Sequence, residues 1–362
     1  MGDGEGAVVA YHGSVYAFTP IMSDQPELRQ NVVSNEWVLI APGRRRRPQQ
    51  FAKSVDDKPT ALKNCPFEDP QVSNQVDPLT WYSKRGKEDR AISKKDWMLQ
   101  VIPNKFPAVM KHVGRTCPSP FPYGLYKHMA GVGFHEIVIP RAHSKFLWDM
   151  TAREAERVIQ AYQDRVLYHR NEACLEYIFI FHNHGSRAGA SVWHPHSQII
   201  ALPIVPPNVQ RSISGAKLYH HEHKKCVHCE MNKWELQQKD RVIYKNKDFL
   251  VIAPYASRLA FEIRITPLRH DARFENITPA ERLSLADALT TALKKLKKAL
   301  KKPAYNFFVH TAPISKNGDY DFYHWHLEIY PKTSHFAGVE LGTGVEVVAI
   351  APEEAAAYLR KM

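Results

Sequence analysis

The sequence has no long hydrophobic run and few cysteines, and both features restrict what the protein can be. No apolar stretch among the 362 residues approaches the ~20 residues of a membrane-spanning helix, so we expect no membrane partner. The first residues, Met1 to Gly6, lack the basic region and apolar core of a secretory signal. The five cysteines are an odd number in a long chain, which favours a reducing compartment and metal binding over a disulfide framework. Together these absences predict a cytoplasmic protein.

Zinc-finger spacings and aromatic RNA-binding strand motifs are also missing, although the net charge is +12. Much of the positive excess lies in Arg44 to Arg47 and in Lys294 to Lys302. The lysine run places leucines on one side of a helix, which is typical of a solvated helix face. The arginine run is either a solvated turn or a phosphate contact, since guanidinium groups bind phosphate oxygens in pairs. We therefore expect a small anionic substrate and no nucleic acid.

The most informative stretch follows a loop rich in glycine and serine. It reads His194-Pro-His196-Ser-Gln198 and passes into the apolar run 199–202. A strand is predicted there, and side chains two residues apart share one face of a strand. His194, His196 and Gln198 should therefore project together. Two imidazoles and a carboxamide beside backbone N–H donors indicate a site for an anionic substrate.

The order of elements in the first half recurs in the second half. Each half has a strand ending in Pro-x-x-His, a helix that begins with a Thr-x-x-Glu motif, a strand led by tyrosine and a His-x-His motif. His143 and His194 are 51 residues apart, and His270 and His324 are 54 residues apart. Self-similarity of this kind indicates two copies of one supersecondary unit. The predicted class is α+β, with a mainly antiparallel sheet flanked by helices.

Each half also supplies four candidate metal ligands. In the second half these are two thiols and two imidazoles, a set suited to tetrahedral zinc: Cys226, Cys229, His270 and His324. In the first half a carboxylate stands where the second half has a thiol: Cys65, Glu68, His143 and His194. His310 and His326 offer an alternative metal set with His324.

These motifs resemble the galactose-1-phosphate uridylyltransferase family of the histidine-triad superfamily. The resemblance covers about residues 27–360. It rests on Leu28-Arg-x-Asn, Trp37-Val-Leu-Ile-x-Pro, Arg47-Pro48, Pro103-Asn-Lys-Phe-Pro107, Asn183-x-Gly-x-x-x-Gly-x-Ser191, His194-Pro-His196-x-Gln198 and His324-x-His326 with a following Tyr-Pro. Plant-type ADP-glucose phosphorylases are also similar, through residues 201–207, the second-half Cys-x-x-Cys and Gly-Thr-Gly344.

The resemblance implies two duplicated histidine-triad-like halves, 27–207 and 208–362, after a disordered or extended segment 1–26. It implies a homodimer that binds zinc at one or both metal sites, the second holding zinc or iron. His194 would then be a metal ligand that stiffens the loop.

The implied reaction is a ping-pong transfer in galactose metabolism. His196 would attack the α-phosphorus of UDP-glucose, and galactose 1-phosphate would then accept the uridylyl group. Gln198 would donate a hydrogen bond to a phosphoryl oxygen. The residues implied to contact substrate are Arg44, Arg47, Asn104, Phe106, Asn183, Gly189, Ser191 and Glu340.

Two other functions stay open. An ADP-glucose phosphorylase would use the same histidine but pass the nucleotidyl group to inorganic phosphate; retention of His326 favours the transferase. A zinc-containing nucleotide-binding protein would have no catalysis. Glu68 in place of cysteine and the unusual segment 336–344 are the departures from the family pattern.

Overall fold

The computed structural model describes residues 8–11, 14–17, 25–46, 59–83, 85–88, 96–114, 116–314 and 318–362. Arg47, one of the expected substrate contacts, lies outside these ranges. Within the segment 1–26, Val8–Tyr11 pairs with Ser14–Ala17 as a hairpin, which is extended structure. The boundaries proposed for the two halves stay predictions.

The described residues form eighteen strands and six α-helices. The strands are β1 (Val8–Tyr11), β2 (Ser14–Ala17), β3 (Glu27–Gln30), β4 (Trp37–Ile40), β5 (Thr80–Tyr82), β6 (Lys87–Glu88), β7 (Leu99–Pro103), β8 (Phe121–Tyr123), β9 (Tyr126–His128), β10 (Phe134–Pro140), β11 (Tyr177–His184), β12 (Ser197–Leu202), β13 (Val242–Lys245), β14 (Phe249–Ile252), β15 (Ile263–Pro267), β16 (Tyr305–His310), β17 (His326–Pro331) and β18 (Glu346–Val348). The helices are α1 (Ala152–His169), α2 (Pro207–His223), α3 (Val227–Gln238), α4 (Pro279–Leu300), α5 (Gly338–Thr343) and α6 (Pro352–Arg360).

One antiparallel sheet of eleven strands organises the molecule. Its order is β13-β14-β15-β17-β16-β11-β12-β10-β7-β5-β6. Outward from the central pair β11 and β16, the first half runs β11-β12-β10-β7-β5 and the second half runs β16-β17-β15-β14-β13. The two halves therefore repeat one strand order, which confirms the predicted α+β class with a duplicated, mainly antiparallel sheet.

The two long helices occupy equivalent places in the two halves. Thr151 caps α1 and Thr278 caps α4, each in a reciprocal capping box with the glutamate three residues on. The apolar sides of α1 and α4 pack against each other and against one face of the sheet. Burying each large apolar side chain in this layer contributes roughly 1.5–3 kcal/mol.

The other face of the sheet carries the polar residues of interest. Alternate residues of β10 point to opposite faces, and Glu136 bonds to Arg165 of α1 on the helix side. His135 must therefore point to the opposite face. It bonds there to Gln198 of β12, so the face turned away from α1 presents His135 and Gln198.

Two features differ from the expectations from sequence. Residues 204–222 carry prolines, serines and a glycine, which favour a connection without a helix, but α2 begins at Pro207 and runs through most of them. The sequence contains the signal, because Val209, Ile213 and Ala216 recur at helical spacing and are buried. Cys117 and Cys174 form a disulfide, which the cysteine count did not predict; Cys65, Cys226 and Cys229 remain as thiols.

No helix in the described part of the chain has the length and apolar character needed to span a membrane.

Candidate active site

Strand β12 begins only at Ser197, directly after the His-Pro-His motif. Pro195 has no N–H group to donate to a neighbouring strand, so the hydrogen-bonded ladder does not extend back through it. The expectation that His194 shares a strand face with His196 and Gln198 is therefore wrong. His194 turns instead toward Cys65, with 3.5 Å between its Nδ1 and the sulfur.

His196 is held as a neutral imidazole with a free ring nitrogen. Its Nδ1 lies 2.9 Å from the carbonyl oxygen of His194. A carbonyl only accepts, so Nδ1 carries the hydrogen and Nε2 carries the lone pair. The residue is 6% exposed, and this burial lowers the pKa of the ring below its ordinary value. Near neutral pH the free ring nitrogen therefore has a lone pair without first losing a proton, which makes His196 a candidate nucleophile.

A buried polar chain lies behind the motif, on the helix side of β12. The hydroxyl of Tyr162, on α1, donates to Ser197 Oγ at 2.5 Å. Ser197 Oγ is also 2.9 Å from Nδ1 of His182, on β11. The residue between His196 and Gln198 is thus tied to two neighbouring elements, which fixes the start of β12.

Gln198 and Asn104 meet at His135, which the sequence analysis did not select. His135 Nε2 is 2.8 Å from Gln198 Oε1, and the ring lies 3.2 Å from the amide nitrogen of Asn104. The backbone N–H of Ala108 donates to the other ring nitrogen at 3.1 Å. The two polar residues His135 and Glu136, followed by the apolar part of β10, were the only sequence signal for His135.

Asn183 and the loop that follows it are held by Asn306 of the second half. The Asn306 amide donates to Asn183 Oδ1 and to the carbonyl of Ala188, both at 2.7 Å. Gly189 has a φ of +85°, a left-handed conformation that favours glycine. Asn183 and the loop that contains Gly189 are therefore held together, while their contact with phosphate stays a prediction.

A pocket of about 170 Å³ lies beside this loop. Its wall includes Asn183, Ser191 and Trp193, together with His194 and Pro195 of the His-Pro-His motif. Polar groups of the loop thus face a space that is lined by the two residues before His196 and not by His196 itself.

Three other expected substrate contacts are not assembled with these residues in the single chain. Arg44 is exposed on a 3₁₀ turn (Pro42–Arg46), and Phe106 is 83% exposed. The carboxylate of Glu340 accepts a hydrogen bond from the backbone of Ala337, at the start of α5. Among the described residues, no hydrogen bond or ring contact joins these three side chains to His196 or Gln198.

The four second-half ligand candidates converge as expected. Cys229 Sγ lies 3.4 Å from Nδ1 of His270 and of His324, and Cys226 Sγ lies 3.8 Å from Nδ1 of His324. Ligands of tetrahedral zinc are about 3.5 Å apart, so the set fits this ion. The outer nitrogen of each imidazole lies by a backbone carbonyl, that of Asp321 for His270 and that of Pro267 for His324. This arrangement leaves both Nδ1 lone pairs directed at the centre of the set.

The first-half set has the same plan. Cys65, His143 and His194 converge within 4.8 Å of one another. Glu68 Oε2 lies 3.6 Å from His143 Nδ1, and both atoms are buried without a hydrogen-bond partner. Two orphaned buried atoms beside a thiol and an imidazole fit a metal with Glu68 as its carboxylate ligand.

The alternative metal set from the sequence is divided by the structure. His324 belongs to the cysteine cluster, whereas His310 and His326 lie beside Glu328. Arg264 already donates to Glu328 at 2.7 Å, so this carboxylate has a cationic partner within the protein. The group forms a buried charge network on strands β15, β16 and β17.

Comparisons with known proteins agree with this geometry. Residues 18–206 match the family described as galactose-1-phosphate uridyl transferase, N-terminal domain, and residues 213–357 match its C-terminal domain. An ADP-glucose phosphorylase from Arabidopsis thaliana is 32% identical, with 94% of each chain covered. A galactose-1-phosphate uridylyltransferase from Thermotoga maritima is 27% identical, covering 92% of this chain and 98% of its own.

A solved structure of an Arabidopsis thaliana ADP-glucose phosphorylase with bound ADP-glucose has the same fold. It superposes with a TM-score of 0.77 at 31% identity and covers 93% of this chain and 99% of that one. The similarity therefore spans both halves of the duplicated sheet.

Proposed function

Because the chain belongs to the galactose-1-phosphate uridyl transferase family, we propose that it transfers a nucleotidyl group from a nucleoside diphosphate sugar through His196. The observation that carries this proposal is the bond from His196 Nδ1 to the carbonyl of His194. This bond, together with burial of the ring, leaves Nε2 unprotonated and available for attack on phosphorus.

The first half-reaction forms one bond and breaks one. Nε2 of His196 attacks the α-phosphorus of UDP-glucose, and the bond from that phosphorus to the bridging oxygen breaks. Glucose 1-phosphate leaves with the bridging oxygen and its electron pair. The uridylyl group stays on His196, while the proton on Nδ1 continues to bond to the His194 carbonyl.

In the second half-reaction a phosphate oxygen of galactose 1-phosphate attacks the same phosphorus. The phosphorus–nitrogen bond breaks, its electron pair returns to Nε2, and UDP-galactose leaves. Both steps place extra negative charge on the phosphoryl oxygens. The amide NH₂ of Gln198 is the proposed donor to one of these oxygens.

The remaining expected contacts hold the substrate in this proposal. The polar loop would bind phosphate through Asn183, Gly189 and Ser191, and Asn104 and Phe106 would contact the nucleotide. Arg44 and Arg47 would contact phosphate, and Glu340 would contact the sugar.

The two ligand sets are proposed zinc sites, with iron as the other candidate for the second set. The first would be held by Cys65, Glu68, His143 and His194, the second by Cys226, Cys229, His270 and His324. Bound zinc would act as a positive charge that cross-links separate chain segments. His194 would be a ligand, and its backbone carbonyl accepts the hydrogen bond from His196 Nδ1, so the first site would orient the nucleophile.

A second candidate is an ADP-glucose phosphorylase that uses inorganic phosphate as the acceptor. The 32% identity to a protein of that name over 94% of this chain favours it. The first half-reaction is the same apart from the base, so the proposed role of His196 does not depend on the choice. His326 gives no support to either activity, because it is buried beside Glu328 rather than at the site.

Acceptor dependence separates the two candidates. The purified protein would be incubated with UDP-glucose or ADP-glucose, each with galactose 1-phosphate or inorganic phosphate, and release of glucose 1-phosphate would be measured. The transferase predicts turnover with UDP-glucose and galactose 1-phosphate, and the phosphorylase predicts turnover with ADP-glucose and phosphate. Binding without turnover in all four mixtures would favour the non-catalytic zinc-containing nucleotide-binding protein.

We also propose a homodimer, as the family resemblance implies. Light scattering on the purified chain should give twice the 41.5 kDa of one protomer. A mass of one protomer at micromolar concentration would contradict this proposal.

A further inference from the structure

The ring of His135 has a defined tautomer. The backbone N–H of Ala108 donates to its Nδ1 at 3.1 Å. A backbone amide can only donate, so Nδ1 carries the lone pair and the hydrogen of the neutral ring is on Nε2. This N–H then donates to Gln198 Oε1 at 2.8 Å.

The bond to His135 decides which end of the Gln198 amide is available. Its oxygen accepts from His135, so its NH₂ is turned away from the ring. Among the described residues, no protein acceptor bonds to that NH₂. The last torsion of a glutamine side chain has two comparable orientations, and the opposite one would present oxygen to a phosphoryl oxygen. His135 therefore selects the donor end.

His135 also holds the loop of residues 104–108. Its carbonyl accepts the backbone N–H of Asn104 at 2.8 Å, and its ring accepts that of Ala108. Within the loop, Asn104 Oδ1 accepts the backbone N–H of Phe106 at 2.9 Å. The two side chains proposed to contact the nucleotide are thus anchored on the residue that orients Gln198.

We propose that His135 is a positioning residue that couples these two parts of the site. It directs the Gln198 NH₂ toward the phosphoryl oxygens and docks the 104–108 loop against β10. The role rests on the proposed function, in which nucleotidyl transfer passes through His196.

Two substitutions of His135 separate its hydrogen bonds from its volume. His135→Phe keeps a flat ring but removes both side-chain bonds. His135→Gln carries one acceptor and one donor, so it can replace both bonds in part. His128→Phe, on the exposed strand β9, is the matched control for loss of a histidine.

The measurement is the rate of nucleotidyl-enzyme formation in a single turnover. Samples with increasing UDP-glucose, and separately ADP-glucose, would be quenched and examined by intact-protein mass. The same series would be measured on Gln198→Ala and on the double variant that combines it with His135→Phe. This double-mutant cycle isolates the part of the His135 effect that passes through Gln198.

His135→Phe should lower the rate at saturating sugar by about 10- to 100-fold, because the amide donor loses its orientation. With Gln198→Ala present, the further effect on that rate should shrink to about 2-fold or less. The concentration of UDP-glucose or ADP-glucose that gives half the maximal rate should rise on His135→Phe, both with and without Gln198→Ala, since the loop anchor is lost in both cases. His135→Gln should recover most of the rate, and His128→Phe should match the wild type.

If His135→Phe lowers the rate at saturating nucleotide sugar by the same factor with and without Gln198→Ala, the coupling between the two residues is disproved. Equal losses for His135→Phe and His135→Gln, accompanied by a lower Tm in both, would show that the residue only supports the fold. If the wild type forms no nucleotidyl adduct with either sugar, the proposed function fails and the role of His135 fails with it.

Discussion

His196 is the residue on which the proposed chemistry depends, and its duplicate provides an internal comparison. His326 follows His324 as His196 follows His194, and its Nδ1 lies 3.1 Å from the His324 carbonyl. The two rings thus share one local geometry. Their surroundings differ, because His326 faces Glu328 at 3.6 Å whereas His196 has no carboxylate beside it among the described ion pairs. Nε2 of the second ring therefore faces a protein carboxylate, which Arg264 neutralises.

Replacing the nucleophile should abolish turnover. His196→Ala is expected to lower the rate by about 1,000-fold or more, since nucleophile and intermediate are both lost. Release of glucose 1-phosphate would be measured with both sugar donors.

His326→Gln is the control at the equivalent position of the other half, and it should stay within about 3-fold of the wild type on the same assay, an effect of well under 1 kcal/mol. Thermal melting would show that each variant is folded. Turnover in His196→Ala close to that of the wild type would disprove the mechanism.

The elements that hold the site are strand β12 and the helix behind it. Ser197 points away from the site and bonds to Tyr162 and His182, so the strand is fixed from its back. Loss of one such buried bond typically costs about 1 kcal/mol, and more where a polar group is left unpaired.

Tyr162→Phe tests this support from α1. We expect a loss of roughly 1–3 kcal/mol in the free energy of unfolding, because Ser197 Oγ loses its donor in a buried place. Tyr168→Phe, on the exposed side of the same helix, should change stability by less than about 0.5 kcal/mol. Urea denaturation of the two variants would measure both values. A cost as small for Tyr162 as for Tyr168 would show that the chain of hydrogen bonds does not stabilise the fold.

The second zinc site is expected to hold the start of α3 to the end of β15 and the start of β17. Cys229→Ala should remove one equivalent of metal per chain and lower Tm by several degrees, since binding to the folded state alone adds stability. Elemental analysis and thermal melting of the purified variant would test both expectations. Cys117→Ser is the control. Cys117 is exposed and forms the disulfide with Cys174, so this change should leave the metal content unchanged. Wild-type protein without metal would contradict the assignment.

The stability of the whole molecule should depend on pH through the buried charge network on β15, β16 and β17, which includes Arg264 and Glu328. Burial, and then the nearby charge of Glu328, raise the pKa of Glu262 to about 8. A carboxyl with a raised pKa in the folded state contributes stability below its unfolded pKa of about 4.5, and this contribution is lost as pH rises through about 8. Above about pH 4.5 the unfolded chain ionises at this position while the folded protein keeps Glu262 protonated, so the fold loses stability progressively up to about pH 8.

Glu262→Gln removes this ionisation. The stability of this variant relative to the wild type should increase by about 1 kcal/mol or more between pH 5 and pH 8, because only the wild type has a carboxyl that the folded protein keeps protonated there. Thermal melting of both proteins across this range would measure the change. Glu222→Gln, an exposed control on α2, should show no such trend. Parallel Tm curves for Glu262→Gln and the wild type would contradict the raised pKa.

The sequence predicts those parts of the fold whose signals are local. The capping boxes at Thr151 and Thr278, the strand after His196 and the Cys-x-x-Cys ligand pair are all readable from neighbouring residues. The repeated order of elements predicts the duplicated sheet for the same reason.

Other parts depend on which strands become neighbours. His135 meets Gln198 across 63 positions of sequence, and Asn306 meets Asn183 across 123. These contacts depend on strand order and register, which cannot be predicted from the neighbouring residues in the sequence. The disulfide of Cys117 and Cys174 joins two connecting segments 57 positions apart, so it also depends on a contact between distant parts of the chain.

The most direct test of the central claim is to trap and map the covalent intermediate. The wild-type protein would be mixed briefly with UDP-glucose, and separately with ADP-glucose, then quenched and digested for peptide mass mapping. We predict a nucleotidyl mass gain on the peptide that contains His196, absent from His196→Ala and removed by the correct acceptor. An adduct on a different residue, or turnover without any adduct, would contradict transfer through His196.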